Sequence, residues 1–139
     1  MASVSIFWPA VAMVLLAFTV MFLMGRERIG QLTRKRVHPQ AIALSAQLAT
    51  QLDDTRCSDN FRNQFELPVL FYVALVVAFL TGQVTLLVLG LAWAFVALRY
   101  AHSVIHCSYN KVRHRFAVFV AGAAVLLLLW LRLASGLLG

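Results

Sequence analysis

The run RYAHSVIHCSYNKVRHR, residues 99–115, lies between two strongly apolar segments and carries most of the polar side chains in the second half of the chain. Arg99, His102 and His106 are spaced at i, i+3 and i+7, so a helix places all three on one face. An ionisable side chain at membrane depth costs about 2.5–3.5 kcal/mol, and such a group therefore needs a partner or a function. This run predicts a polar face at the end of a membrane-spanning helix.

The composition is typical of an integral membrane protein. Of the 139 residues, 62% are hydrophobic and 12% are charged, whereas a soluble domain carries about 25% charged residues. Twelve Lys and Arg against five acids give a net charge of +7, but these bases gather beside apolar runs, which is a pattern of membrane topology. We expect the lipid bilayer as a partner and no nucleic acid.

Four apolar segments are each long enough to cross a hydrocarbon core of about 30 Å. We predict an all-α integral membrane four-helix bundle, with one transmembrane domain over residues 1–139. The predicted helices are residues 5–24, 61–80, 84–108 and 116–134, and a cytoplasmic loop covers residues 25–60. Pro68 is expected to bend the second helix, because proline removes a backbone hydrogen bond.

The basic residues predict how the bundle is oriented. One basic tract, residues 26–36, follows the first apolar segment, and a second, residues 111–115, precedes the fourth. Basic loops stay on the cytoplasmic side of a membrane, so both termini are expected on the outer or periplasmic side. The short format and the absence of an organelle signal favour a bacterial inner membrane, although an endoplasmic reticulum location fits the same topology.

A second polar cluster, Arg62, Asn63 and Glu66, opens the second predicted helix at the same membrane depth as the run at 99–115. Arg62 and Glu66 are spaced at i, i+4 and can pair. Guanidinium groups bind carboxylates with two hydrogen bonds, and Glu66 can take an ammonium group. The converging clusters therefore match a small zwitterion with more than one carboxylate. The alternative at this stage is that the bases are only topology signals.

Neither a metal site nor a disulfide is expected. His102 and His106 have the i, i+4 spacing of metal ligands, but a third ligand and the central Glu of the zinc signature are missing. Cys57 and Cys107 lie at the ends of apolar segments on the predicted cytoplasmic side, where disulfides rarely persist. We predict two unpaired thiols.

The order of these motifs resembles the MAPEG family, the membrane-associated proteins in eicosanoid and glutathione metabolism. The resemblance rests on RNQFE at residues 62–66 followed by an apolar helix, and then on Arg99-x-x-His102 leading to Arg115. It covers the second helix to the start of the fourth.

The resemblance implies a homotrimer of four-helix subunits that binds glutathione between subunits near the cytoplasmic face. It implies a glutathione-dependent transferase or peroxidase, a bacterial-type member related to the microsomal glutathione transferase and prostaglandin E synthase branch. Its substrate would be a lipophilic electrophile or hydroperoxide. Arg115 is the expected catalytic residue, because a cation beside a thiol favours the thiolate. The expected glutathione-binding residues are Arg28, Arg62, Asn63, Glu66, Arg99, His102, His106 and Arg113.

Two positions depart from the family pattern, and two other function classes stay open. His106 stands where the eicosanoid enzymes commonly carry a tyrosine, and Phe116 where the prostaglandin branch has a serine. These changes leave the expectation of glutathione binding intact and weaken that of the particular eicosanoid reactions. The alternatives are a small proton-coupled transporter that uses Glu66 and a non-catalytic membrane interaction protein whose polar clusters only fix helix ends.

Overall fold

The computed structural model describes residues 4–138, and these residues form helices and no strand. Short 3-10 turns occupy Val4–Ile6 and Pro39–Ile42. The six α-helices are α1 Phe7–Lys35, α2 Ser45–Gln51, α3 Arg56–Asn63, α4 Leu67–Leu80, α5 Leu86–Cys107 and α6 Val112–Leu138.

Four helical segments in the described part of the chain are long and apolar enough to cross a membrane. They are α1 with its preceding turn, α3 together with α4, α5, and α6. The prediction of an all-α, four-helix membrane bundle is therefore confirmed.

The predicted loop after the first apolar segment begins as helix. α1 continues to Lys35 and ends at Arg36, which takes the left-handed conformation with φ 53°. The buried side chain of Gln31 explains this extension, because its Oε1 accepts the backbone N–H groups of Asp53 and Asp54 at 2.8 and 3.0 Å. Most of the basic tract therefore lies on a helix that packs against the returning chain.

The second span begins at Arg56, before the predicted start at residue 61. The Asp54 carboxylate accepts the backbone N–H of Arg56 at 3.0 Å and pairs with its guanidinium at 2.6 Å. Through these side-chain hydrogen bonds Arg56 holds the pKa of the Asp54 carboxyl below its usual range. Arg56 also donates to the carbonyl of Ser108, so the start of α3 is tied to the end of α5.

The second span is interrupted between α3 and α4. α3 ends at Asn63, and α4 starts at Leu67 with Pro68 in its first turn, where a missing N–H costs little. Pro68 therefore starts a helix instead of bending one. Glu66 lies in the connection with φ −98° and ψ −106°. The predicted pairing of Arg62 with Glu66 was wrong: in the described chain neither forms an ion pair, because the helical spacing ends before Glu66.

The fourth span also starts earlier than predicted. After α5 the chain reverses through Asn110, which has φ 48°, a conformation that asparagine tolerates better than most residues. α6 then begins at Val112, four residues before the predicted helix. Arg113 and Arg115 therefore lie in the first turn of α6 and not in a loop, which fixes the direction in which Arg115 projects.

The apolar core lies in the middle of the bundle. Phe71 of α4 stacks on Phe95 of α5 with ring centroids 4.5 Å apart. The other buried core residues include Met13, Leu16, Val20, Leu75, Ala92, Leu126 and Leu129. This core holds the spans together below the polar end, where the end of α1, α3, the end of α5 and the start of α6 meet.

Candidate functional site

A cavity of about 410 Å³ opens between α3, α5 and α6 at the polar end of the bundle. This volume is within the range of small-molecule sites. The lining residues are Asp59, Arg62, Asn63, Glu66, His102, His106, Val112, Arg115, Phe116 and Phe119. Six of these ten are among the residues predicted from the sequence: Arg62, Asn63, Glu66, His102, His106 and Arg115.

Opposite walls of the cavity carry guanidinium groups. Arg62 and Asn63 lie in the last turn of α3, and Glu66 follows them in the exposed connection to α4. On the other side, Arg115 projects from the first turn of α6, and its Nη1 donates to Asn110 Oδ1 at 2.7 Å. Cations on two walls, together with the carboxylates of Asp59 and Glu66 in the lining, can hold a ligand that carries charges of both signs.

Two histidines of α5 form a buried part of the lining. His102 and His106 are 2% and 4% exposed, and their rings meet edge-on with centroids 5.5 Å apart. Both Nδ1 atoms are buried, and neither has a hydrogen-bond partner within residues 4–138. Buried polar atoms are normally hydrogen-bonded, so these two nitrogens are unusual among the described residues, while the imidazole rings that carry them line the cavity.

Arg99 lies behind the cavity wall, outside its lining. The side chain is 2% exposed, and Nη2 donates to the backbone carbonyl of Asn63 at 3.0 Å. Carbonyls in the last turn of a helix lack a partner within that helix, so Arg99 fixes the end of α3 to α5. Direct contact of Arg99 with a ligand stays a prediction.

The remaining two predicted residues also lie outside the lining. Arg28 of α1 donates from Nη2 to Ser58 Oγ at 3.2 Å, and it borders a cavity of about 160 Å³ that shares Asp59 and Arg62 with the larger one. Arg113 is exposed in the first turn of α6. Their roles as glutathione contacts stay predictions.

Comparison with known protein families decides what kind of chain this is. A sequence model of the MAPEG family matches residues 6–135. The chain belongs to the MAPEG family. The match includes the first helix and the long connection, which the motifs did not reach. No curated protein and no solved structure matches significantly. Membership places this integral membrane protein among those of eicosanoid and glutathione metabolism.

A buried polar network joins α3 to α5 in this MAPEG chain, and sequence reasoning missed it. Ser103 Oγ donates to Asn60 Oδ1 at 3.2 Å, and Gln64 Nε2 donates to Ser103 Oγ at 3.1 Å and to Asn60 Oδ1 at 3.2 Å. The i, i+4 spacing of Asn60 and Gln64 was the available signal, because it places two amides on one face. The network sets the separation of two cavity walls.

Asp59, Phe116 and Phe119 were also missed as lining residues of the MAPEG chain. Asp59 precedes Arg62 by three residues, which is helical spacing, but the helix was predicted to start only at residue 61. Phe116 and Phe119 share one face of α6 by the same spacing. Phe116 was noted only as a departure from the family pattern, and a membrane helix rich in apolar residues gives no reason to expect either residue in a cavity lining. They supply an apolar wall beside Arg115.

We expect Asn60→Ala to lower the free energy of unfolding in detergent by about 1–3 kcal/mol, because Ser103 and Gln64 each lose a buried partner. The control is Gln40→Ala, which removes an exposed amide outside the four spans and should leave stability unchanged. Denaturant titration of both variants against wild type measures the difference. Equal stability of the two variants would contradict a structural role for the network.

Proposed function

We propose that this MAPEG protein is a glutathione-dependent transferase or peroxidase that acts on a lipophilic electrophile or hydroperoxide. We place it as a bacterial-type member of the microsomal glutathione transferase and prostaglandin E synthase branch. The observation that carries the proposal is the meeting of Arg62, Asn63, Glu66 and Arg115 around one cavity, since these residues come from two elements. Family membership supplies the connection with glutathione metabolism.

The chemistry of the lining fits glutathione, which carries two carboxylates, one ammonium group, two peptide bonds and a thiol. Arg62 offers a guanidinium for a carboxylate, Asn63 an amide, and Glu66 an acceptor for the ammonium group. The imidazoles of His102 and His106 line the cavity and can donate or accept according to tautomer, and so can meet a peptide group.

Arg99, Arg28 and Arg113 are also proposed to contribute to glutathione binding, although none of them lines the cavity. Arg99 would act through the Asn63 carbonyl that it holds. Arg28 lies across the α3 wall and Arg113 on the exposed start of α6, so both would reach glutathione only where a neighbouring subunit or the mouth of the cavity brings it close. The predicted residues that line the cavity are therefore the ones to test first: Arg62, Asn63, Glu66, His102, His106 and Arg115.

Bound glutathione supplies the nucleophilic sulfur of the reaction. The guanidinium of Arg115 would favour the thiolate, because a positive group beside a thiol lowers its pKa. Phe116 and Phe119 extend the same helix face with apolar surface, where a lipophilic substrate can lie against the charged site. Arg115 is accordingly the proposed catalytic residue.

We also propose a homotrimer of single-domain subunits in a bacterial inner membrane, with both termini on the periplasmic side and glutathione bound between subunits near the cytoplasmic face. The basic residues at one end of the bundle support this orientation, and family resemblance supports the trimer. Native mass spectrometry from detergent is expected to show three subunits, and a stable monomer or dimer would contradict the assembly.

The activity is tested with the purified full-length protein in detergent, glutathione, and either 1-chloro-2,4-dinitrobenzene or cumene hydroperoxide. We expect glutathione-dependent conjugation or peroxide reduction above the rate in buffer. A folded protein that accelerates neither reaction would contradict the proposed chemistry.

A further inference from the structure

Cys57 and Cys107, the two cysteines of the chain, face each other across the contact of α3 with α5. Both are free thiols, and their sulfur atoms lie 2.9 Å apart. A disulfide bond is about 2.05 Å long, so the sulfurs need to approach by less than about 1 Å to bond. We propose that this pair is a dithiol site that exchanges with low-molecular-weight disulfides and closes as an internal disulfide.

The two thiols differ in access, which assigns their order of reaction. Cys57 is 2% exposed, whereas Cys107 is partly exposed at the end of α5. Asn60 Nδ2 donates to the sulfur of Cys107 at 3.4 Å, and this contact holds the more accessible sulfur in place beside that of Cys57. Cys107 is therefore the attacking residue, and Cys57 is the one that resolves the mixed disulfide.

The exchange balances as two successive substitutions at sulfur. The Cys107 thiolate attacks one sulfur of the small disulfide, forms a mixed disulfide and releases one small thiolate. The Cys57 thiol loses its proton, attacks the sulfur of Cys107 and releases the second small thiolate. The protein loses two electrons and two protons, and the small disulfide gains them to become two thiols.

The site adjoins the cavity without belonging to its lining. Cys107 follows His106 directly, and Cys57 lies on the helix that carries Arg62. Closure would covalently join α3 to α5 and fix the separation of two cavity walls. In a compartment where small thiols keep cysteines reduced, such a bond is transient and reports on the redox state. This inference needs only the two thiols and stands apart from the proposed glutathione activity.

The test uses the full-length protein in detergent with dipyridyl disulfide as the probe. After the reaction, intact mass spectrometry and maleimide labelling under denaturing conditions count the remaining thiols. We expect no free thiol, a monomer mass lower by two hydrogen atoms and no adduct, with both thiols restored by dithiothreitol. Two remaining thiols, a separate adduct on each cysteine, or a bond between two chains would overturn the proposal.

Single variants test the order of the two thiols. In Cys57→Ser we expect a stable mixed disulfide on Cys107, because the resolving thiol is gone. In Cys107→Ser we expect the buried Cys57 to react much more slowly in the folded protein. Comparable rates in the two variants would overturn the assignment of Cys107 as the attacking thiol. The double serine variant is the matched control and should not react, and size-exclusion profiles verify that each variant is folded.

Discussion

Arg115→Ala is expected to lower the glutathione-dependent turnover number about 10²–10³-fold while the bundle stays folded. Removing one preorganised group that stabilises charge in the transition state typically lowers the turnover number by this factor. Arg115 lines the cavity from the first turn of α6, and its contact with Asn110 sets its direction without tying it to the core. Loss of the guanidinium should therefore affect chemistry more than stability.

The pH dependence separates this catalytic role from a merely structural one. If Arg115 stabilises the glutathione thiolate as proposed, the bound thiol is deprotonated at lower pH in wild type than in Arg115→Ala. In Arg115→Ala the pKa of that thiol rises, so the rate should recover in part as pH increases through it. Arg115→Lys should keep part of the activity, because it retains the charge but loses the planar fork. A parallel drop at every pH would contradict thiolate stabilisation.

The matched control is Lys111→Ala, which removes the same charge one helical turn earlier from an exposed side chain outside the cavity lining. We expect its activity to equal that of wild type. Asn110→Gly tests the orientation of Arg115, since glycine accepts the positive φ at this position but removes the amide oxygen that Arg115 contacts. It should reduce turnover by less than Arg115→Ala. A larger loss of turnover in Lys111→Ala than in Arg115→Ala would contradict the proposed role of Arg115.

Arg99→Ala is expected to lower the free energy of unfolding by about 3–5 kcal/mol. The substitution empties the space of a large side chain that is 2% exposed, and truncation of large buried side chains falls in this range. It also leaves the carbonyl of Asn63 without the donor that Arg99 supplies. Chemical denaturation in detergent measures the loss.

Arg99→Met separates packing from charge at this position. Methionine fills much of the volume, and replacing a buried charge by an apolar residue of similar size is often neutral for stability. We expect Arg99→Met to recover most of the stability lost in Arg99→Ala. If Arg99 acts by holding Asn63, glutathione binding should weaken in both variants, because the end of α3 is no longer fixed. Wild-type affinity in Arg99→Met would show that neither the charge nor the hydrogen bond matters to the cavity.

The four spans could be predicted because a hydrophobic segment of membrane length is a local property of the sequence. Two of the helix ends that differ from prediction depend on distant side chains. α1 continues to Lys35 because Gln31 bonds the backbone near Asp54, and α3 starts at Arg56 because that residue pairs with Asp54 and reaches Ser108. Asp54 is local to Arg56, but Gln31 lies 22 residues from Asp53 and Arg56 lies 52 residues from Ser108, so no local window of sequence contains those two contacts. An apolar run therefore predicts that a helix crosses the membrane, and tertiary contacts decide at which residues that helix begins and ends.

The lining residues of the cavity could likewise be predicted where the signal is local in sequence, and could not where it depends on tertiary contacts. Arg62, Asn63 and Arg115 could be singled out because polar groups at one membrane depth have to meet or face water. The pairing of Arg62 with Glu66 failed because it assumed that the helix continues through residue 66. The proximity of Cys57 to Cys107 could not be predicted, since it depends on the rotation of α3 against α5, which a single sequence does not disclose.

The central claim is that the cavity between α3, α5 and α6 binds glutathione, and calorimetry on the purified wild-type protein tests it most directly. Arg62→Ala is the variant to compare, because Arg62 is exposed in the lining and its loss should not unfold the bundle. Arg132→Ala is the control, since it removes one arginine from the far end of α6.

We expect saturable binding to wild type and to Arg132→Ala, with an affinity about 10–150-fold weaker in Arg62→Ala, which corresponds to one charged hydrogen bond of about 1.5–3 kcal/mol. A folded wild-type protein that does not bind glutathione, or an Arg62→Ala variant that binds it as tightly as wild type, would contradict the account.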